Sequence, residues 1–307
     1  MKVPESRNLG LLFLVSKRSI RKYFRHNMIE YSAALAYRAL FALVPLFALL
    51  VTLLGFLGFS GFFDWLIEQA NYTLQERYAE GVEWLIREGQ DQAQGGLLSG
   101  VVIIAVWTVS AGVRSLTKAL NAVHEVEESR PGWKRYPLSF FYALSLAIAI
   151  ILAAGLLLIG PRVVEWLVGL VRLDEVFISL WTWLRLPVAL VLIMLTVSII
   201  YWAIPNVNYS YRLTTPGAAL AVIVWVIGSL GVSFYLANFA NYSVIYGSLG
   251  AAFALLLYFY ISAAVLLFGA EVNAAICHHT SARNVQEEER TTNRETPDTD
   301  ERSRKDD

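Results

Sequence analysis

Charged residues in this chain are separated by long apolar runs, and the gaps between them predict its elements. Twenty-five uncharged residues lie between Arg38 and Asp64, 22 between Asp91 and Arg114, 26 between Arg135 and Arg162, and 26 between Arg185 and Arg212. A helix needs roughly 20 apolar residues to cross about 30 Å of hydrocarbon, so each gap is long enough for one span. The fifth gap, Leu213 to Ala270, holds 58 residues without a charge. As one helix it would be about 87 Å long at 1.5 Å per residue. It therefore folds back, and Asn238, Asn241 and Tyr242 in ANFANYSVIYGS supply a polar turn. The pattern predicts six spans, at about 33–59, 96–117, 138–161, 178–204, 216–237 and 248–272. The runs are uniformly apolar, not alternating, which excludes a membrane β-barrel. In lipid, backbone groups must then be satisfied within each segment, so the spans are helices. The fold class is all-α: a polytopic membrane protein with six transmembrane helices plus an N-terminal interfacial amphipathic helix.

That interfacial helix is predicted over residues 13–28 (FLVSKRSIRKYFRHNM). At 100° per residue, Lys17, Arg18, Arg21, Lys22 and Arg25 fill one arc and Phe13, Ile20, Tyr23 and Phe24 another. Such a helix lies on a bilayer with its basic face toward anionic headgroups. A basic helix also suits RNA, but its place directly before a span favours the membrane. The apolar run LGLLFLV ahead of it meets Lys17 without a small-residue cleavage pattern, so a cleavable signal peptide is not expected. Between spans 1 and 2, GFFDWLIEQA and RYAEGVEWLIREG are amphipathic, and Trp65 and Trp84 suit an interfacial belt. Three regions result: a cytoplasmic N-terminus at 1–31, the span domain at 32–275, and a tail at 276–307 expected to be disordered.

Composition agrees. Of 307 residues, 56% are hydrophobic and 16% charged, against about 25% charged in a soluble domain. The 25 basic and 25 acidic residues cancel, so no bulk charge points to nucleic acid. One cysteine, Cys277, excludes an internal disulfide framework. Thirteen Lys and Arg fall on the side holding the N-terminus and four on the other. By the positive-inside rule both termini are cytoplasmic.

Several motifs carry a family resemblance. SAALAYRALFALVPLFALLVTLLG resembles the first span of the YihY/BrkB-like inner-membrane family, whose members carry a proline in mid-helix there. RSLTKALNAVHEVEESRPGWKR resembles its cytoplasmic segment after span 2. YWAIPN, TPGA, NYSVIYGSLGA and LLFGAEVNA resemble its C-terminal half, in order. The resemblance covers about residues 15–275. It implies a six-span helical protein of the bacterial cytoplasmic membrane, and the family's labels include a virulence factor and a tRNA-processing ribonuclease, ribonuclease BN. Arg38 departs from the pattern, where an uncharged residue is expected, so its role is not inherited.

The residues do not support the ribonuclease label. Metal-assisted hydrolysis needs clustered carboxylates or histidines. The four histidines are His26, His124, His278 and His279, and the last two are adjacent, about 100° apart on a helix. No metal-ligand spacing and no phosphate-gripping G-x-x-x-x-G-K-[ST] occurs, so neither a cofactor nor a catalytic or metal site is assigned. The GSLG copies at 228–231 and 247–250 read as helix-packing surfaces.

Ionisable groups at membrane depth are costly and mark function or pairing. Arg38 falls in the cytoplasmic third of span 1, Arg114 ends span 2, and Glu271 lies near the cytoplasmic end of span 6. With Asn273 they are expected to form an inner polar cluster, in which Glu271 neutralises an arginine or the group receives an anionic headgroup or substrate. Simple snorkelling of the side chains is the third reading. On the outer side Arg185, Asn238, Asn241, Tyr242 and Tyr246 are read as belt or turn residues, or as a substrate mouth. Pro45 in span 1 and Pro187 in span 4 interrupt helices in the two halves, a feature of transporters, though their depths match poorly. The expectation is a transport-type protein handling lipids or amphipathic anions, with the anionic bilayer as its partner. A scaffold for envelope assembly is the alternative, and a membrane ribonuclease comes third.

Overall fold

The structure is a computed structural model that describes residues 16–56, 60–73, 79–84, 86–87, 98–158, 175–207, 215–239 and 248–295. Its elements among those residues are helical. Helix α1 covers 16–25. It is followed by α2 (Met28–Phe56), α3 (Ser60–Thr73), α4 (Leu98–Val123), α5 (Gly132–Leu158), α6 (Glu175–Ala203), α7 (Pro216–Phe239) and α8 (Ser248–Glu295). Among the described residues, five stretches are long and apolar enough to cross a membrane: Met28–Leu49, Val102–Val123, Trp183–Ala203, Pro216–Tyr235 and Ala252–Cys277. Helix α5, 27 residues of largely apolar sequence, packs between α4 and α6.

The long helices neighbour one another in chain order. Helix α2 packs on α4, α4 on α5, α5 on α6, α6 on α7 and α7 on α8, and α8 closes the ring on α2 while also touching α4. Side chains on the outer surface, such as Val44, Ile103, Ile227 and Phe234, are largely exposed. Apolar surface on that scale belongs against lipid.

The densest core sits at one end of the ring. Met28 at the start of α2 meets Leu116, Leu120 and Val123 at the end of α4, Ile200 and Ile204 at the end of α6, and Leu267, Ala270 and Ala274 of α8. A smaller cluster, Phe63 and Ile86 with Phe47, Ile67 and Val82 against them, ties α3 and the helical residues at 79–84 and 86–87 to α2. The two amphipathic stretches thus bury one face each, as their pattern predicts.

Helices α7 and α8 approach closely because both contact points are glycine. A Cβ on Gly217 would run into the Gly269 carbonyl and the Asn273 side chain. A Cβ on Gly269 would meet the Tyr201 hydroxyl, the Gly217 carbonyl and Ala221. Small residues let helix backbones come together in this way. Asn273 completes the joint: its Oδ1 accepts from the Gly217 N–H at 2.8 Å and its Nδ2 donates to Thr215 Oγ1 at 2.9 Å. A helix N-terminus leaves orphan N–H donors, and here the neighbouring helix satisfies one. Pro216 occupies the first turn, where its missing N–H costs nothing.

Two expectations need correction. The amphipathic helix does not run to residue 28: it stops at 25, and Asn27 turns the chain with φ of 55° before α2 begins. Asparagine tolerates this left-handed geometry better than most residues. The C-terminal region is not without structure from 276, because α8 continues to Glu295. Its glutamates and arginines are good helix formers extending an established helix.

Replacing Gly269 with Ala should force the α7–α8 joint apart and destabilise the protein by about 1–3 kcal/mol, the usual cost of overpacking. Thermal unfolding of the detergent-purified variant checks this, and Gly231→Ala, whose added Cβ meets open space, serves as the neutral control.

Candidate functional site

The densely packed end of the ring carries a buried polar network that begins on α1. The protein-facing side of this helix comprises Ser19, Lys22, Tyr23 and His26, while Lys17, Arg18, Arg21 and Arg25 stay exposed beside Ile20 and Phe24. The basic face is therefore split, with Lys22 turned into the protein and the other four cations left on the surface.

His26 bridges two carboxylates. Its Nδ1 lies 2.6 Å from Oε1 of Glu271, a side chain with no exposed surface, and its Nε2 lies 3.2 Å from Oε1 of Glu125. Each ring nitrogen of His26 thus contacts a different carboxyl group, one on the segment after α4 and one on α8. The other Glu271 oxygen, Oε2, is buried without a hydrogen bond. Glu125 also accepts from Lys22 Nζ at 2.9 Å and pairs with Arg25. The Lys22 ammonium, supported by Arg25 and His26, holds the Glu125 carboxyl down at about 2.

The backbone explains why Glu125 is there. Helix α4 ends in a Schellman motif, with Glu125 N–H bonded to Ala122 O at 3.1 Å and Val126 N–H to Asn121 O at 3.0 Å. Glu125 takes the left-handed position, φ 56°, usually given to glycine. A non-glycine residue there is strained by about 1–2 kcal/mol, which the pairing of its carboxylate with Lys22 and Arg25 helps offset.

Beside this network, the segment after α4 is tied to the end of α6. Asn121 donates to Glu128 and accepts from the Asn206 N–H at 2.8 Å, while the Arg130 guanidinium donates to the carbonyls of Ile204 and Pro205. Asn206 Nδ2 in turn donates to Ser129 Oγ at 2.7 Å. The ALN, ESRP and IPN runs of the sequence meet in this knot.

Toward the middle of the ring, a cavity of about 400 Å³ opens between α2, α4, α6, α7 and α8. Leu35, Val113, Val197, Val222, Phe259 and Leu266 are among the apolar residues of its wall. Arg38 is the one charged residue on the lining, and the Trp225 indole N–H donates to Ser262 Oγ at 3.0 Å there. Binding cavities commonly pair an apolar wall with a few polar groups of this kind.

The four residues do not form one cluster: Glu271 and Asn273 have partners of their own, while Arg38 and Arg114 lie near each other. Glu271 is not neutralised by an arginine: its hydrogen-bond partner is His26, because α1 reaches the buried end of α8. Arg38 lines the cavity. Arg114 stacks on aromatic rings, 4.7 Å from the Tyr136 centroid and 5.7 Å from that of Trp107. Asn273 joins α7 to α8. Of the outer-face residues, Arg185 is partly exposed on α6 and Asn238 lies in the last turn of α7, while Asn241, Tyr242 and Tyr246 lie outside the described residues. His26 and Glu125 were not legible as site residues. Their signal is a histidine at the end of a basic amphipathic helix and an acid at the end of span 2, and only the docking of α1 joins them. Among the described residues, no three His, Cys, Asp or Glu side chains gather in an arrangement that could hold a metal ion.

These features define a helical membrane protein whose spans enclose a mainly apolar cavity and whose N-terminal helix is pinned by a buried carboxylate. The sequence model described as Virulence factor BrkB matches residues 19–294, and the chain belongs to that family. It is 33% identical over 195 residues to the ribonuclease-like protein YfkH of Bacillus subtilis, covering 64% of this chain and 71% of that one. It is 28% identical over 259 residues to a UPF0761 membrane protein of Xanthomonas campestris, covering 83% of this chain. A UPF0761 membrane protein of Xanthomonas axonopodis matches to the same extent, and this chain spans 59% of the length of each Xanthomonas relative. No solved structure matches.

Replacing His26 with Ala leaves Glu271 as a buried carboxyl without its partner, and should destabilise the docking of α1 by about 3 kcal/mol. Trypsin then cuts after Lys17, Arg18 or Arg21 faster than in the parent protein, while α8 stays protected. Acid should act through Glu125. Its folded-state carboxyl ionises at lower pH than the usual 4.5, so its pairing stabilises docking fully above 4.5 and is lost as pH falls through about 2. Cleavage of α1 by an acid-active protease should rise across that window in the parent protein and be less pH-dependent in Glu125→Gln.

Proposed function

We propose that this protein is a transport-type protein of the bacterial cytoplasmic membrane that handles lipids or other amphipathic anions. The supporting observation is the cavity between five helices: among the described residues its wall is mainly apolar, with Arg38 its one charged group, so an acyl chain fits the wall and an anionic head fits the guanidinium. A charged side chain at this depth is costly unless something pairs with it. Among the described residues Arg38 has no carboxylate partner, and a bound anion would supply one.

In this reading α5 is a sixth span beside the five stretches described above. An even number of spans places both chain ends in the cytoplasm, consistent with the lysines and arginines concentrated around α1 and the segment after α4. The exposed Ile20 and Phe24 beside Arg18 and Arg21 suit contact with a bilayer surface carrying anionic headgroups. The reading needs no cofactor, nucleic acid or catalytic residue. Ribonuclease-like is the name of the Bacillus relative and is not carried over, since no constellation for RNA hydrolysis is part of this proposal.

Mass spectrometry of lipids and small molecules that co-purify with the detergent-extracted protein tests it. The proposal expects an anionic amphiphile enriched over its share in the membrane, with about tenfold less retained by Arg38→Ala and by Ala39→Phe, which fills the cavity. Retention that is equal in all three proteins, or absent in the parent, counts against transport and favours a scaffold.

A further inference from the structure

Beside the cavity, on the surface where α4 meets α5, cationic groups gather, and among the described residues none of their arginines has a carboxylate partner. Arg114, at the end of the α4 span, lies over Tyr136 at 4.7 Å and over Trp107 at 5.7 Å. Arg135 precedes Tyr136 on α5, and its Nε is buried with no hydrogen-bond partner. Lys134 lies 5.0 Å from the centroid of Trp133. Arg38 is on the adjoining cavity wall together with Gly112 and Val113, the two residues before Arg114. Arg114 experiences the like charges of both Arg135 and Arg38. Among the described residues none of these three arginines forms an ion pair.

Three guanidiniums from three helices that repel one another are an unfavourable arrangement unless an anion joins them. Ring stacking holds the Arg114 plane in place but leaves its N–H edges free to donate. The missing acceptor must serve donors arriving from different helices. A carboxylate has two oxygens and one charge, which a single arginine fork satisfies. A phosphate offers three or more acceptor oxygens and matches the guanidinium fork in geometry. The exposed Trp107, Trp133 and Tyr136 rings around the cluster are the side chains that settle at headgroup level.

We propose that Arg114 and Arg135, with Arg38 at the adjoining cavity wall, form a phosphate-binding site whose occupant is the phosphate of a lipid headgroup with its acyl chain directed into the cavity. This deepens the transport reading and rests on it. The same chemistry would hold a free phosphate, but the apolar wall and the aromatic surround favour the lipid.

The test is native mass spectrometry of the full-length protein in detergent. The probes are dioleoyl phosphatidic acid, dioleoylglycerol, which has the same chains without phosphate, and inorganic phosphate as competitor. Phosphatidic acid should bind about tenfold or more tighter than dioleoylglycerol, as expected for charge-assisted hydrogen bonds. Arg114→Gln with Arg135→Gln should remove that difference while leaving dioleoylglycerol binding unchanged. Arg114→Lys with Arg135→Lys, which keeps the charge but loses the fork, should fall between the two and guards against a folding defect in the glutamine variant. Inorganic phosphate in the millimolar range should not displace the lipid. Displacement would overturn the lipid assignment in favour of a free phosphate. An undiminished preference in the glutamine variant overturns the phosphate site while leaving the cavity reading with Arg38 intact. Equal binding of the two lipids overturns both the phosphate site and the role of Arg38 as an anion partner, leaving only an apolar chamber. Failure of both lipids to bind overturns the cavity reading as well.

Discussion

A carboxyl group with no access to water governs one end of this molecule. Glu271 lies on α8 among Leu267, Ala270 and Ala274, and a polar group so placed is tolerable only with a hydrogen-bond partner. The partner comes from outside the ring of long helices, as His26 at the end of α1. That one requirement accounts for much of the surrounding construction. It stops α1 at the turn over Asn27, turns Lys22 into the protein, and makes the left-handed Glu125 useful as an anchor for the same helix. The knot of Asn121, Glu128, Arg130 and Asn206 fixes the neighbouring segments, and the glycine joint of α7 and α8 completes a rigid end.

The middle of the ring has the opposite character. The dense packing of the Met28–Leu120–Leu267 core gives way to the cavity one or two turns along the same helices. Well-packed interiors leave few voids larger than a water molecule, so a space of about 400 Å³ represents lost contacts that something else must restore. A bound amphiphile would restore them and would provide the counter-charge that Arg38 lacks. Rigidity at one end and an adaptable chamber in the middle are compatible with a protein that holds its frame while a ligand enters and leaves.

Much of the fold was legible because lipid leaves the backbone few choices. The charge-free gaps locate the long helices closely, and the 58-residue gap forces the α7–α8 hairpin. What the pattern misses are relations between elements. Periodicity places Lys22 with the other cations of α1, but only packing decides that Lys22 faces Glu125 while Arg18 and Arg21 face outward. The expected pairing of Glu271 with an arginine was reasonable by charge and depth. Nothing in a linear sequence says that a histidine 245 positions away is nearer. Asn273 was expected in the inner polar cluster, whereas its partly buried amide satisfies the first turn of α7. The run from 276 to 295 has few apolar residues and so reads as disordered, although helix propagation needs no core of its own.

The most direct test of the central claim is an experimental map of the full-length protein in lipid nanodiscs, resolved well enough to separate side chains from bound lipid. The account predicts elongated density within the α2–α4–α6–α7–α8 chamber, its polar end next to Arg38 and its length along Phe259 and Leu266. A chamber closed by inward-moving side chains, or one holding only scattered water, would contradict it.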